Sequence, residues 1–359
     1  MEKSRAALKK SQKEIKQEPL FPSTRYQGSK SKLADWIWET IKNLEFKTCL
    51  DLFGGTGAIA YQLKRAGKKI TYNDILCFNY YMGVALIENN HITLSQSEVD
   101  WLLERHPEVE YPHFIQDTFQ DIYFTSEENQ WIDQTISNIR QLQNPYKFAL
   151  AFFALCQACL IKRPYNLFHR KNLYLRLAEV KRHFGNKTTW DKPFDPLFRS
   201  FIKEVNGAIF DNHQVNSASN LDAFQMKGSY DLVYIDTPYI SNKGVALDYF
   251  QFYHFLEGLT SYDNWAHRID YDSKHYRLRP QKSDWTDRKQ IYFAFDHLFQ
   301  KYQESLLVVS YRSDGIPTES ELVALLKQYK KTVQIHYFGP YHYALSKNKK
   351  SKEILLIGT

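Results

Sequence analysis

The stretch from Cys49 to Asp74 constrains the fold most. Cys49-Leu50-Asp51-Leu52-Phe53 is apolar apart from one carboxylate and passes straight into Gly54-Gly55-Thr56-Gly57. Glycines at that place let the backbone turn tightly and let a ligand approach the start of the following helix. The pattern gives a strand over Lys47 to Phe53, a helix over Ala58 to Arg65, and a second strand over Lys69 to Tyr72 that ends at Asn73-Asp74. Strand, helix, strand in that order implies parallel pairing with a right-handed crossover. Gly55-x-Gly57-x-x-Ala60 fits the dinucleotide fingerprint, and Asp74 follows 19 residues after Gly55, where a ribose-binding acid belongs. A nicotinamide enzyme is thus one reading. A bare turn, with Asp74 as a helix N-cap, is another.

Two features favour S-adenosylmethionine over a dinucleotide. Asp51 lies just before Phe53-Gly54-Gly55, where it would repel a pyrophosphate but suit the amino-acid end of that methyl donor. Upstream, Arg25-Tyr26-Gln27-Gly28-Ser29-Lys30 offers an aromatic ring and a lysine that can clasp a methionine carboxylate.

A second strand end carries chemistry of its own. Residues 230 to 239 read Tyr-Asp-Leu-Val-Tyr-Ile-Asp-Thr-Pro-Tyr. The apolar run breaks off in Asp236-Thr237-Pro238-Tyr239, which sets a carboxylate, a rigid turn and an aromatic ring together. The ring can stack on a planar heterocycle, while the carboxylate and the Thr237 carbonyl accept hydrogens from an exocyclic amine. A plain turn after a core strand would use the same residue types.

The chain has 359 residues, enough for two domains or one domain with a large insertion. A net charge of +7 and an aromatic share of 16% suit a polyanionic partner with stacked bases. Cys156 and Cys159 form a lone Cys-x-x-Cys in the helical run Phe148 to Ile161, without a second pair to complete a zinc site, so all 4 cysteines read as reduced core residues and no metal is called for. The lysine-rich opening lacks the apolar stretch of a signal peptide and no run spans a membrane, which points to the cytoplasm.

Residues 1–21 read as a basic mobile tail. The α/β pattern of 22–90 gives way over 91–215 to a polar, aromatic, mostly helical lobe and resumes over 216–359. Its later strands are expected at Gln214 to Val215, Leu232 to Ile235, Ser305 to Ser310, Thr332 to Tyr337 and Glu353 to Ile357. Tyr249 to Arg288 reads as a long loop with short helices. The lobe carries Arg163, Tyr165, Asn166, His169, Arg170, Asn172 and Arg176, types that neutralise phosphates and read base edges. A solvated basic face is the plainer reading of the same run.

With these pieces in one order, the chain resembles DNA adenine-N6 methyltransferases of the alpha arrangement, the Dam-like, D12 class. The matching segments are Arg25 to Lys30, Asp51 to Gly57, Asp74, Asn220 to Phe224, Asp236 to Tyr239 and Leu307 to Tyr311. The resemblance implies a Rossmann-like α/β sheet that binds S-adenosylmethionine, with 91–215 as an inserted target-recognition lobe and double-stranded DNA as partner. It implies cofactor contacts from Tyr26, Lys30, Asp51, Phe53, Gly54, Gly55, Gly57 and Asp74, with Asp222 beside the adenine and Asp236 at the methyl. Asp236, Pro238 and Tyr239 would be catalytic, Tyr239 stacking on a flipped-out adenine. A cognate restriction endonuclease is the companion it suggests. One departure stands out: the class carries proline where this chain has Thr237, so the turn's shape differs while the reacting groups remain. Amino methylation of cytosine N4, RNA adenine or protein glutamine shares this geometry, and a nicotinamide oxidoreductase or a silent DNA-binding module also remains open at this level.

Overall fold

The structure, a computed structural model, describes residues 19–179, 187–339 and 351–359. Most of the expected tail, residues 1–18, lies outside them. Seven strands form the central sheet: β1 (Thr48–Asp51), β2 (Lys69–Asn73), β3 (Ser217–Ser219), β4 (Leu232–Ile235), β6 (Leu306–Arg312), β8 (Val333–Phe338) and β9 (Glu353–Gly358). Two further strands, β5 (Ile240–Ser241) and β7 (Gly315–Ile316), make a small antiparallel ribbon. The sheet runs β3-β2-β1-β4-β6-β9-β8. The first five of these strands are parallel, and β9 pairs antiparallel with both β6 and β8.

That order places β1 at a reversal. From β1 the chain winds outward through β2 and β3, then returns to lay β4 on the other flank of β1. In doubly wound sheets ligands bind outside the carboxyl ends of the strands at such a switch point. Helices α1 (Ala34–Ile41), α2 (Ala58–Arg65) and α3 (Cys77–Gly83) surround it.

Strand periodicity of two divides the interior. Cys49, Leu232, Tyr234, Val308, Leu355 and Ile357 face one apolar cluster, whereas Leu50, Val233, Ile235, Leu307, Val309, Ile354 and Leu356 face the other. The second cluster is closed by helices Gln290–Lys301 and Glu319–Leu326, through Ile291, Phe295, Leu298 and Leu322. The first is closed largely by the inserted residues. Helix Pro145–Ile161 is buried along its length from Ala149 to Leu160. It starts cleanly because Asn144 accepts from the Tyr146 and Lys147 amides while Pro145 takes the first turn. Phe255, Leu256, Trp265 and Leu278, from the stretch after β5, join the same cluster. The inserted helices therefore share their core with one face of the sheet. Among the described residues no helix is long and apolar enough to cross a membrane.

Most strands and helices fall where the residue pattern sets them. One begins late: β3 starts at Ser217, whereas Gln214 and Val215 lie in irregular backbone, with Val215 82% accessible. Its reason is local. The Asn216 side-chain carbonyl accepts from the Ile70 amide (2.9 Å), standing in for a strand partner before the backbone ladder begins.

Three residues expected to meet DNA are instead internal. Arg163 is 1% exposed, stacks 4.4 Å from the Tyr123 ring centroid, and donates to the Tyr123 carbonyl and the Asn172 side chain. Asn172 is buried with it. Arg176, 3% exposed, donates to both Glu128 oxygens (2.8 and 2.7 Å) and to the Trp190 carbonyl. Clustered cations beside aromatic rings look alike in sequence whether they face phosphate or ring and carbonyl. Arg176→Ala should therefore lower unfolding stability by about 3 kcal/mol, the scale of opening a buried ion pair. The exposed Arg170→Ala should change it by less than about 0.5 kcal/mol. Urea denaturation of both variants checks this; equal midpoints would contradict the burial.

Candidate active site

The glycine turn is shaped by what lies beside it. A Cβ on Gly54 would sit 2.0 Å from the Tyr72 ring, so only glycine lets the loop lie on that side chain. Gly55 and Gly57 adopt φ of +53° and +77°, the left-handed region glycine tolerates. Hydrogen bonds then fix the loop. The Gly54 amide donates to Asn73 O (2.8 Å), the Gly57 amide to Gly54 O (2.8 Å), and the Tyr72 hydroxyl to Gly55 O (2.7 Å). The Asn73 amide group donates to Leu52 O (3.1 Å) and Leu221 O (3.0 Å), tying the loops after β1, β2 and β3 into one rim.

Under this rim is a cavity of about 240 Å³. Asp51 and Phe53 from β1 and its loop, Tyr26 and Lys30 from the segment before α1, Asp74 after β2 and Asp236 after β4 all line it. Thr237, Pro238, Tyr249 and Phe250 complete the wall near Asp236. A second hollow adjoins it, lined by Asp222, Phe224 and Trp285 and sharing Phe53 and Pro238 with the first. Gly54 and Gly55 reach the main cavity; Gly57 does not, and its part is to close the turn at the start of α2.

The carboxylates differ in their satisfaction. Asp74 accepts from the Gly55 amide (2.8 Å), the Leu76 amide (2.8 Å) and the Asn79 side chain (3.2 Å). Burial nevertheless raises its carboxyl to about 6, these bonds pulling the other way. Asp51 accepts from the Ala60 amide (3.2 Å) on one oxygen, while its other oxygen, buried, has no partner among the described residues. Burial first, then the nearby Asp236 charge, push Asp51 up to about 8. Asp236 rises to about 6 through burial, with Lys30 opposing and Glu353 reinforcing.

Tyr26 is held as the middle ring of a stack, 5.5 Å from Tyr249 and 4.6 Å from Tyr253, both near parallel. Lys30 reaches Asp236 (2.8 Å), the Tyr239 hydroxyl (2.6 Å) and Glu353 (3.4 Å). Tyr239 corrects an expectation. It is 3% exposed, packs edge-on against Tyr311 and is not part of the cavity wall, so its ring does not face a ligand there. Its hydroxyl lies between Asp236 and Glu353, 2.9 Å from each, and this polar end holds the ring inward. Glu353 escaped the sequence reading; its one signal is a carboxylate heading the apolar run Ile354 to Ile357. Tyr249 and Phe250 belong to the aromatic run Tyr249 to His254, which in sequence reads either as wall around a flipped base or as core.

A model of the D12 class N6 adenine-specific DNA methyltransferase family matches residues 26–314. The chain belongs to that family. It is similar over 347 residues, at 29% identity, to the type II methyltransferase M2.HphI of Haemophilus parahaemolyticus, covering 94% of this chain and 97% of that one. It also resembles the type II methyltransferase M.FokI of Planomicrobium okeanokoites, 29% identical over 353 residues and 91% of this chain, but only 50% of that longer protein. The type II methyltransferase M.NlaIII of Neisseria lactamica is 24% identical over 325 residues, 87% of this chain and 91% of its own.

For a D12 class adenine methyltransferase the substrate is DNA and the methyl donor is of the S-adenosylmethionine type. The nicotinamide reading of the glycine loop has no support. Of the inserted residues read as DNA contacts in the sequence, Tyr165 and Arg170 are exposed and Asn166 and His169 half-buried, with Lys171 exposed beside them.

The buried Asp51 has a pH signature. Its folded carboxyl, near 8 against an ordinary value of 3.8, holds a proton that the unfolded chain releases. That contribution is present at low pH and is lost as pH rises through about 8. Asparagine cannot titrate. The stability of the unliganded wild type minus that of Asp51→Asn should thus fall steadily between pH 5 and 8 in urea denaturation; a flat difference would contradict the assignment.

Proposed function

We propose that the main cavity holds S-adenosylmethionine and that Asp236 receives the amino group of an adenine extruded from duplex DNA. One observation carries this reading: Asp236, following β4, and the Asp51–Gly55 loop, following β1, open onto the same cavity from neighbouring parallel strands. The lining suits the group. The partnerless Asp51 oxygen is a ready acceptor for the donor's ammonium, and Tyr26 and Lys30 flank its carboxylate. Asp74, fixed by backbone and Asn79 donors, is placed for ribose hydroxyls. Asp222 with Phe224 and Trp285 offers a polar edge and apolar faces for an adenine ring.

When bound, the donor supplies a methyl already activated on a sulfonium, so no metal or covalent nucleophile is needed. The difficulty lies in the adenine amine, whose lone pair is delocalised into its ring. The Asp236 carboxylate and the Thr237 carbonyl accept its two hydrogens, which draws the nitrogen toward tetrahedral geometry and frees the lone pair for in-line attack. As the nitrogen–methyl bond forms at the expense of the sulfur–methyl bond, whose electron pair would stay on sulfur as a neutral thioether, the amine becomes cationic and passes one hydrogen to Asp236, which releases it to solvent. Pro238, Tyr249 and Phe250 supply the apolar wall against which the base stacks. Extrusion costs a few kcal/mol, offset by that stacking and by contacts to the DNA from the exposed face around Tyr165, Asn166, His169 and Arg170.

The relatives are named as type II methyltransferases and modification methylases. We accordingly infer that this enzyme marks one short sequence and that a cognate endonuclease reading the same sequence is its companion. The test is expression in a bacterial host without adenine methylation, followed by single-molecule sequencing of plasmid DNA. N6-methyladenine at one recurrent sequence is expected. Modified cytosine, or unmodified DNA from a folded and expressed protein, would overturn the reading.

A further inference from the structure

The reading of Asp236 as the amine's acceptor leaves a difficulty in its surroundings. One oxygen, Oδ1, already faces the Lys30 ammonium at 2.8 Å and the Tyr239 hydroxyl at 2.9 Å. The base's hydrogen therefore falls to Oδ2, and the contacts on Oδ1 draw charge from the whole carboxylate and weaken that acceptor. The solution lies two strands further along the sheet. Glu353, the first residue of β9, is fully buried (0% exposed). Its Oε1 lies 2.9 Å from the same Tyr239 hydroxyl, 3.4 Å from the same Lys30 ammonium and 2.6 Å from the Ser310 hydroxyl, which donates to it. A tyrosine hydroxyl has a single hydrogen, so Tyr239 can donate to Asp236 or to Glu353 but not to both. The Lys30 ammonium also lies between the two carboxylates.

We propose that Glu353 is a positioning residue for methyl transfer: it draws the Tyr239 hydrogen and a share of the Lys30 charge to itself, leaving Asp236 a stronger acceptor for its amino hydrogen of the base. The inference rests on the proposed role of Asp236 and adds the mechanism that frees it. It also accounts for the buried Tyr239, whose hydroxyl becomes the relay between the two acids. The groups facing Asp236 are Lys30 from the segment before α1, Tyr239 from its own turn, Asp51 from β1, Tyr234 from β4 and Glu353 from β9. Burial and Glu353 favour protonation of Asp236, and Lys30 and the Tyr239 hydroxyl oppose it.

The decisive variant is Glu353→Gln, which keeps shape and removes charge. With saturating DNA and cofactor, kcat should fall about 10- to 100-fold while both KM values stay within about threefold, the pattern of an interaction made in the transition state alone. The acid limb of the pH–kcat profile should move to lower pH, because a negative neighbour that favoured protonation of Asp236 is gone. A kcat within about threefold of wild type with an unmoved limb overturns the proposal, as does a loss confined to KM. Should that variant fail to fold, Glu353→Asp retains the charge but shortens its reach by one methylene. It should lower kcat at unchanged KM, and wild-type kinetics from it would overturn the proposal equally. Wild-type protein that methylates no DNA adenine would instead sink the underlying reading of Asp236, whatever the Glu353 variants do.

Discussion

The pairing of β1 with β4 is the constraint from which the site follows. Leu50 lies opposite Val233 and Asp51 opposite Tyr234, so both strands end at the same level. The loop after one and the turn after the other are thereby set beside a common cavity. A one-residue slip of either strand would turn Asp51 or Asp236 to the opposite face and exchange the residues facing the two apolar clusters. Register is held because each strand is buried on both faces, with Leu50 and Val233 on one side and Cys49, Leu232 and Tyr234 on the other. The same packing that makes the core therefore aligns the reacting groups.

Such a site is expensive in desolvation. Asp51, Asp74 and Asp236 are all pushed above the ordinary carboxylate range by burial, and they stand close enough for Asp51 to feel the other two. The protein tolerates this unevenly. Asp74 is well satisfied, Asp236 leans on Lys30, and one Asp51 oxygen is left without a partner. Buried acceptors without partners are rare in native proteins, and this one belongs to a residue that lines the cavity. A cationic methyl donor fits that need, since an ammonium and a sulfonium would meet the acids that burial otherwise protonates.

How far the sequence foretold this depends on whether a residue acts through its neighbours in the chain or across the fold. The sheet was readable because its signals are local: apolar runs ended by Gly54, Asn73 or Pro238. The cavity acids were readable because each sits at a strand end, a place where polar residues are conspicuous. Burial was not readable. Arg163 and Arg176 carry the chemistry of phosphate ligands, and only the tertiary packing of Tyr123 and Glu128 around them shows that they pin helices together. Tyr239 failed as a stacking ring for the same reason, since Glu353 lies 114 residues away along the chain. The β3 start slipped because Asn216 replaces a backbone pairing with its side chain, which no periodicity registers.

The most direct test removes the acceptor and leaves the rest in place. In Asp236→Ala the Lys30 ammonium keeps Glu353 as a buried partner, so the fold and the cofactor cavity should survive. Titration calorimetry with S-adenosylmethionine, beside a tritiated-methyl transfer assay on duplex DNA, separates binding from chemistry. Cofactor binding should remain measurable, and the transfer rate should fall by about 100- to 1,000-fold or more, the scale of losing a preorganised transition-state contact. An Asp236→Ala enzyme that still methylates adenine at near wild-type rate would contradict the mechanism at its centre.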